Sequence, residues 1–125
     1  MRFLVIVPAS KDSEAGILPD EKMLAALGSF NAQMVRAGVL LAAEGLQASA
    51  KGARVEFAAG ETRVVDGPFD EERELIAGFW LIQAKSKEEA VAWMRRAPFG
   101  TGVVLEIRQV FEAADFASRP SLPGG

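Results

Sequence analysis

An α+β domain with the order β-α-β, hairpin, β-α-β is predicted for this 125-residue chain by three observations. Segments 2–8 and 75–84 are apolar on both faces, as strands covered on both sides are. Segments 20–37 and 86–97 carry capping residues at their starts and apolar residues at helical spacing. Between the two halves, a pair of short runs flanks Gly60, the pattern of a hairpin.

Taken in order, residues 2–8 place Phe3, Val5 and Val7 on one face and Leu4 and Ile6 on the other. Residues 9–19 are polar and read as a loop. Asp20 caps a helix running to about Ala37, and Gly38 lies just past its end. Met23, Leu27, Phe30 and Met34 form its inward stripe. Val39–Ala43 is a second strand that ends at Glu44-Gly45-Leu46. Ala53–Phe57 and Thr62–Asp66 make the hairpin, with Arg54, Glu56 and Arg63 on a polar face. The loop Gly67–Glu74 leads into the strand Leu75–Ala84. Ser86-Lys87-Glu88-Glu89 is a capping box, in which the hydroxyl accepts from the Glu89 amide and the Glu89 carboxylate returns to the Ser86 amide. That helix turns Ala90, Val91, Met94 and Ala97 inward and stops before Pro98. Val103–Val110 is the last strand, and the chain from Ala113 on is expected to be mobile. The domain is drawn at 1–116 with a flexible tail at 117–125.

Two such halves side by side give a ferredoxin-like sheet with both helices on one face. The other face is then expected to expose Trp80, Ile82 and their neighbours, a patch larger than monomers usually tolerate. Pairing of two copies through this open sheet face is the expected solution, and a C-terminal tail folded over it is the alternative.

Composition removes whole classes of chemistry. The net charge of -3 and the pI near 5.0 offer no basic footprint for nucleic acid. The chain has no Cys, His or Tyr. Thiol nucleophiles, imidazole bases, Ser-His-Asp triads and thiolate or imidazole metal ligands are therefore excluded. Carboxylates, Lys, Arg, Ser, Thr and backbone amides remain, and neither a cofactor nor a metal is expected. The apolar run after Arg2 is too short for a signal peptide and stops at Pro8. No stretch has the length of a membrane span. A cytoplasmic location follows as the expectation.

The most unusual stretch is Val65-Asp66-Gly67-Pro68-Phe69-Asp70-Glu71-Glu72-Arg73-Glu74. Gly67 permits a backbone that a β-carbon forbids, and Pro68 stiffens the corner. Asp66 either accepts local amides in an Asx turn or lines a cleft beneath the loop. Glu44, at the end of a short strand, is the second carboxylate, and two carboxylates in unequal environments can divide acid and base roles. Ser49 and Lys51, before the hairpin, either supply a hydroxyl and a cation to an anionic ligand or shape a turn. Gly100-Thr101-Gly102 joins no strand to a helix and is not a phosphate cradle. Trp80 and Trp93 fit a core or an interface better than a ligand cage.

Ala43-Glu44-Gly45-Leu46, Ser49, Lys51-Gly52, Asp66-Gly67-Pro68-Phe69 and Glu74-Leu75-Ile76-Ala77-Gly78-Phe79-Trp80 resemble the DGPF-type branch of the YCII-related proteins, over roughly residues 1–116. The resemblance implies a dimeric α+β barrel of ferredoxin-like protomers. Some YCII proteins are proposed enzymes with a His-Asp pair, which a chain without His cannot form. Some relatives are encoded near or fused to extracytoplasmic-function sigma factors, which implies a sigma-factor-type protein as an alternative partner. Many relatives continue the motif Ala-Glu-Thr-Lys-Glu, where this chain has Asp70-Glu71-Glu72-Arg73-Glu74. The match supports Asp66, Glu71 and Glu74 as site-lining groups, and with the strand-end Glu44 added, Asp66, Glu44 and Glu74 are the candidate acid/base groups. Ser49, Lys51, Gly67, Pro68, Phe69, Glu71 and Arg73 line a small-molecule site in that scheme.

Overall fold

In a computed structural model, which describes residues 1–70 and 74–117, the chain forms one four-stranded antiparallel sheet and a separate hairpin. The elements are β1 (Arg2–Pro8), α1 (Lys11–Glu14), α2 (Glu21–Arg36), β2 (Leu40–Gly45), a 3-10 turn (Ser49–Lys51), β3 (Ala53–Ala58), β4 (Glu61–Asp66), β5 (Ile76–Gln83), α3 (Lys87–Met94), β6 (Glu106–Gln109) and α4 (Ala113–Ala117). The sheet order β2-β5-β1-β6, with β3 and β4 paired only to each other, is ferredoxin-like with an inserted hairpin.

The apolar strands take the centre. Phe3 and Val5 of β1 lie opposite Ile82 and Trp80 of β5, and all four are buried. Phe30 and Met34 of α2 and Ala90 and Met94 of α3 close over them to form one core. The Trp80 indole donates to the Asn31 side chain at 2.8 Å, so its polar end is satisfied within the packed layer. Trp80 and Ile82 therefore face the helices, which corrects their expected place on the open side. Alternation sends Leu4 and Ile6 of β1 and their partners Leu81 and Phe79 of β5 to the opposite face, where all four are half-buried.

Helix ends follow local bonding. Asp20 accepts from the Met23 amide at 2.8 Å, the expected cap. The Ser86 hydroxyl accepts from the Glu89 amide at 3.1 Å. A complete box forms at Ser10 instead, where the Ser10 hydroxyl takes the Ser13 amide at 3.1 Å and the Ser13 hydroxyl takes the Ser10 amide at 2.8 Å. It starts α1 inside the segment expected to be a loop. Val91 is exposed rather than inward, because Ala90 and Met94 define the buried edge of α3. The last strand is shorter than expected: Val103 and Val104 stay outside the ladder and exposed. The segment from Ala113, expected to be mobile, begins with α4, and the Arg2 guanidinium holds Glu112 beside it at 3.0 Å. Among the described residues no helix is long and apolar enough to cross a membrane.

Candidate functional site

The strand register puts Glu44 and Glu74 at the same end of the sheet. Pro8 pairs with Ile76 at the end of β1, and Gly45 pairs with Gly78 at the end of β2. The Ala9 amide donates to the Leu75 carbonyl at 2.9 Å, which sets Glu74 beside the exit of β1. Glu44 lies opposite Phe79, and a β-carbon on Gly78 would stand 2.8 Å from the Glu44 carbonyl, so a side chain there would push the two strands apart. At this end too, the Leu46 amide donates to Ala77 at 2.7 Å before the chain turns into the Ser49–Lys51 segment.

On that turn the Asp66-Gly67-Pro68-Phe69 corner is seated. The Gly67 amide donates to the Gly52 carbonyl at 3.0 Å, and the Phe69 amide donates to the Ser49 hydroxyl at 2.9 Å. The Gly67–Pro68 bond is cis, and Gly67 is not one of the glycines with positive φ. Glycine is needed there for a different reason from the backbone freedom expected. A β-carbon would sit 1.8 Å from the Ser49 carbonyl oxygen, far inside contact distance. The Phe69 ring is covered in turn by the Arg54 guanidinium, 3.9 Å from its centroid.

Ser49 is held from its other side by a residue that sequence reasoning missed. The Ser49 amide donates to Glu14 Oε2 at 2.9 Å, and the Ser49 hydroxyl donates to Glu14 Oε1. These two donors hold the Glu14 carboxyl below the usual carboxylate range. The result is a chain of bonds, Glu14 to Ser49 to Phe69, that ties α1, the 3-10 turn and the corner together. Ser49 thus spends its hydroxyl on fastening the corner. The 35-residue separation between Glu14 and Ser49 leaves no local pattern by which to find the pair.

Asp66 is placed differently. Its carboxylate is exposed and takes no hydrogen bond among the described residues, so the Asx turn does not form. Glu44, Glu74, Lys51 and Pro68 are also exposed, while Gly67 and Phe69 are half-buried. Glu71 and Arg73 lie outside the described residues. A groove of about 400 Å³ runs along α3 and β6 past Val91, Met94, Arg95, Phe99, Leu105 and Ile107. None of the expected site residues lines it. No cluster of three metal-ligating side chains occurs among the described residues.

Comparison with known proteins gives the same frame to this geometry. The model of the YCII-related domain matches residues 1–114. An uncharacterised protein of Rhizobium meliloti (strain 1021) is 37% identical over 76 residues, 61% of this chain and 61% of its own length. The chain thus spans about three-fifths of the length of that relative. With the match running across the sheet, both packed helices and the Asp66–Phe69 corner, the chain belongs to the YCII-related family.

Proposed function

We propose that this chain works as a homodimer, paired through its open sheet face, and binds a small molecule beside the Asp66–Phe69 corner, with Asp66, Glu44 and Glu74 as its acidic groups. The observation that carries this is a division of labour within the corner. Gly67, Ser49, Glu14 and Phe69 hold the backbone in place, and Asp66 is left exposed on a fixed support. A carboxylate that the fold does not use, held on a corner that cannot drift, is placed to meet a ligand. Carboxylates accept hydrogen bonds and offer none when ionised, so the ligand class is one rich in amine or hydroxyl donors. In a catalytic version the proton would move through these acids, because the chain has no His. Ser49 and Glu14 position the corner in this scheme and do not touch the ligand.

The test is a thermal-shift screen of polyamines, amino acids and polyols on the native chain and on Asp66→Asn. A donor-rich compound should raise the melting temperature of the native protein and leave the variant unmoved. Equal shifts in both, or no shift with any compound, would count against the site. The alternative is a regulatory module bound to a sigma-factor-type protein. It predicts a stable complex with such a protein and no metabolite response.

A further inference from the structure

We propose that the apolar face of the β3–β4 hairpin is an interface for a second copy of this chain, so that Asp66 faces the partner and the site is incomplete in one protomer. The proposal rests on the homodimer reading above and adds a surface to it. The register sorts the hairpin into two unlike faces. Val55 lies opposite Val64, Phe57 opposite Thr62 and Ala53 opposite Asp66 on one side. Arg54 with Val65, Glu56 with Arg63 and Ala58 with Glu61 share the other. The second face is polar and internally paired, with Arg63 donating to Glu56 at 2.8 Å.

The first face has no such provision. Phe57 is 86% exposed, Val64 64% and Val55 55%. Every residue of β3 and β4 is exposed except Val65, which is half-buried. A lone two-stranded hairpin is marginal in water and gains stability when one face packs on something. Its own protomer leaves this face uncovered.

Area favours a second copy as the cover. Phe57 leaves on the order of 170 Å² of aromatic side chain in water. With the two valines the patch reaches on the order of 300 Å², as large as the largest apolar patch on many monomers. A stable dimer takes about 800 Å² from each partner, so the hairpin face supplies less than half of one. The same chain carries a second apolar surface, the half-buried sheet face opposite the helices with Leu4, Ile6, Phe79 and Leu81. In a two-fold pair each copy contributes both surfaces, so one kind of protein enlarges the contact beyond what the hairpin face alone supplies. Each hairpin then closes over the rim of the contact between sheets. Because Asp66 sits two residues beyond Val64 on the same face, its carboxylate points toward the second copy.

Sedimentation equilibrium of the full chain tests this, with Phe57→Ser, Val64→Thr and the apolar control Phe57→Leu. The native chain should dimerise. Phe57→Ser should weaken the dimer by about tenfold or more, as loss of an aromatic anchor does. Val64→Thr should weaken it less, and Phe57→Leu should stay near the native value, all with unchanged circular dichroism. A native dimer with Phe57→Ser and Val64→Thr constants within twofold of native would overturn the hairpin interface and leave a sheet-face dimer standing. A native chain that is monomeric at every concentration would overturn both. If Phe57→Ser unfolds, Val64→Thr carries the test, and a Val64→Thr constant within twofold of native overturns the hairpin interface. If Phe57→Ser keeps the dimer but loses binding to a sigma-factor-type protein, the face belongs to that protein and the proposal fails.

Discussion

The centre of the sheet and the Asp66–Phe69 corner lie in one small domain but are held by different physics. Across β1 and β5, Phe3, Val5, Trp80 and Ile82 are buried under two helices, and their contribution grows with apolar area without demanding a particular partner atom. At the corner, stability comes from directional bonds through Ser49 and from one close approach at Gly67. The first arrangement tolerates an exchange of one apolar side chain for another. The second depends on individual atoms, and a single methyl group can break it.

That contrast sets the order of expected effects. Ile82→Ala removes a fully buried side chain from the core and should cost about 4 kcal/mol, read as a lower urea midpoint for the whole domain. Gly67→Ala should cost about 3 kcal/mol, because its methyl group collides with backbone and not with a flexible side chain. Its loss should appear first in amide exchange of the hairpin and the 3-10 turn, with the central strands protected longer. Equal exposure of both regions would mean that the corner and the sheet unfold as one unit.

The smallest effect is a change in pH dependence. Ser49 lowers the Glu14 pKa by donating its hydroxyl and amide to the carboxylate. A carboxylate depressed in the folded state adds stability that is present above its ordinary value of about 4.5 and is lost as the pH falls through the folded value. Glu112, lowered by its hydrogen bond from Arg2, acts with the same sign. Glu14→Gln should therefore flatten, without abolishing, the fall in stability below pH about 4.5. An unchanged acid limb in the variant would show that the Ser49 contacts do not stabilise the ionised form.

How much of this was legible follows from where each signal lies in the chain. The doubly apolar run at 2–8, the Asp20 cap and the stripe ending at Phe30 and Met34 carry their information locally, and the structure agrees with them. An apolar pattern on both faces says that both will be covered, but not which face the helices choose. Pattern alone therefore leaves the side of Trp80 and Ile82 undetermined, and the structure turns both toward the helices. The helix at Lys11–Glu14 rests on two mutual serine bonds over four residues, too brief for any periodicity. The corner is recognisable from Asp66-Gly67-Pro68-Phe69, yet its fastening is not, since Glu14 and Ser49 lie 35 residues apart and meet only through the tertiary fold. Two amino acids apart in the motif, Asp66 and Pro68 looked like parts of one stiff turn. The structure separates them into an exposed carboxylate and its support.

That separation is most directly tested by unfolding Asp66→Asn beside Gly67→Ala in urea. If the corner stands without the Asp66 carboxylate, Asp66→Asn should stay within about 0.5 kcal/mol of the native chain, as exposed substitutions do, while Gly67→Ala loses about 3 kcal/mol. A loss in Asp66→Asn as large as that in Gly67→Ala would show that the carboxylate belongs to the scaffold, and would contradict its assignment to a ligand.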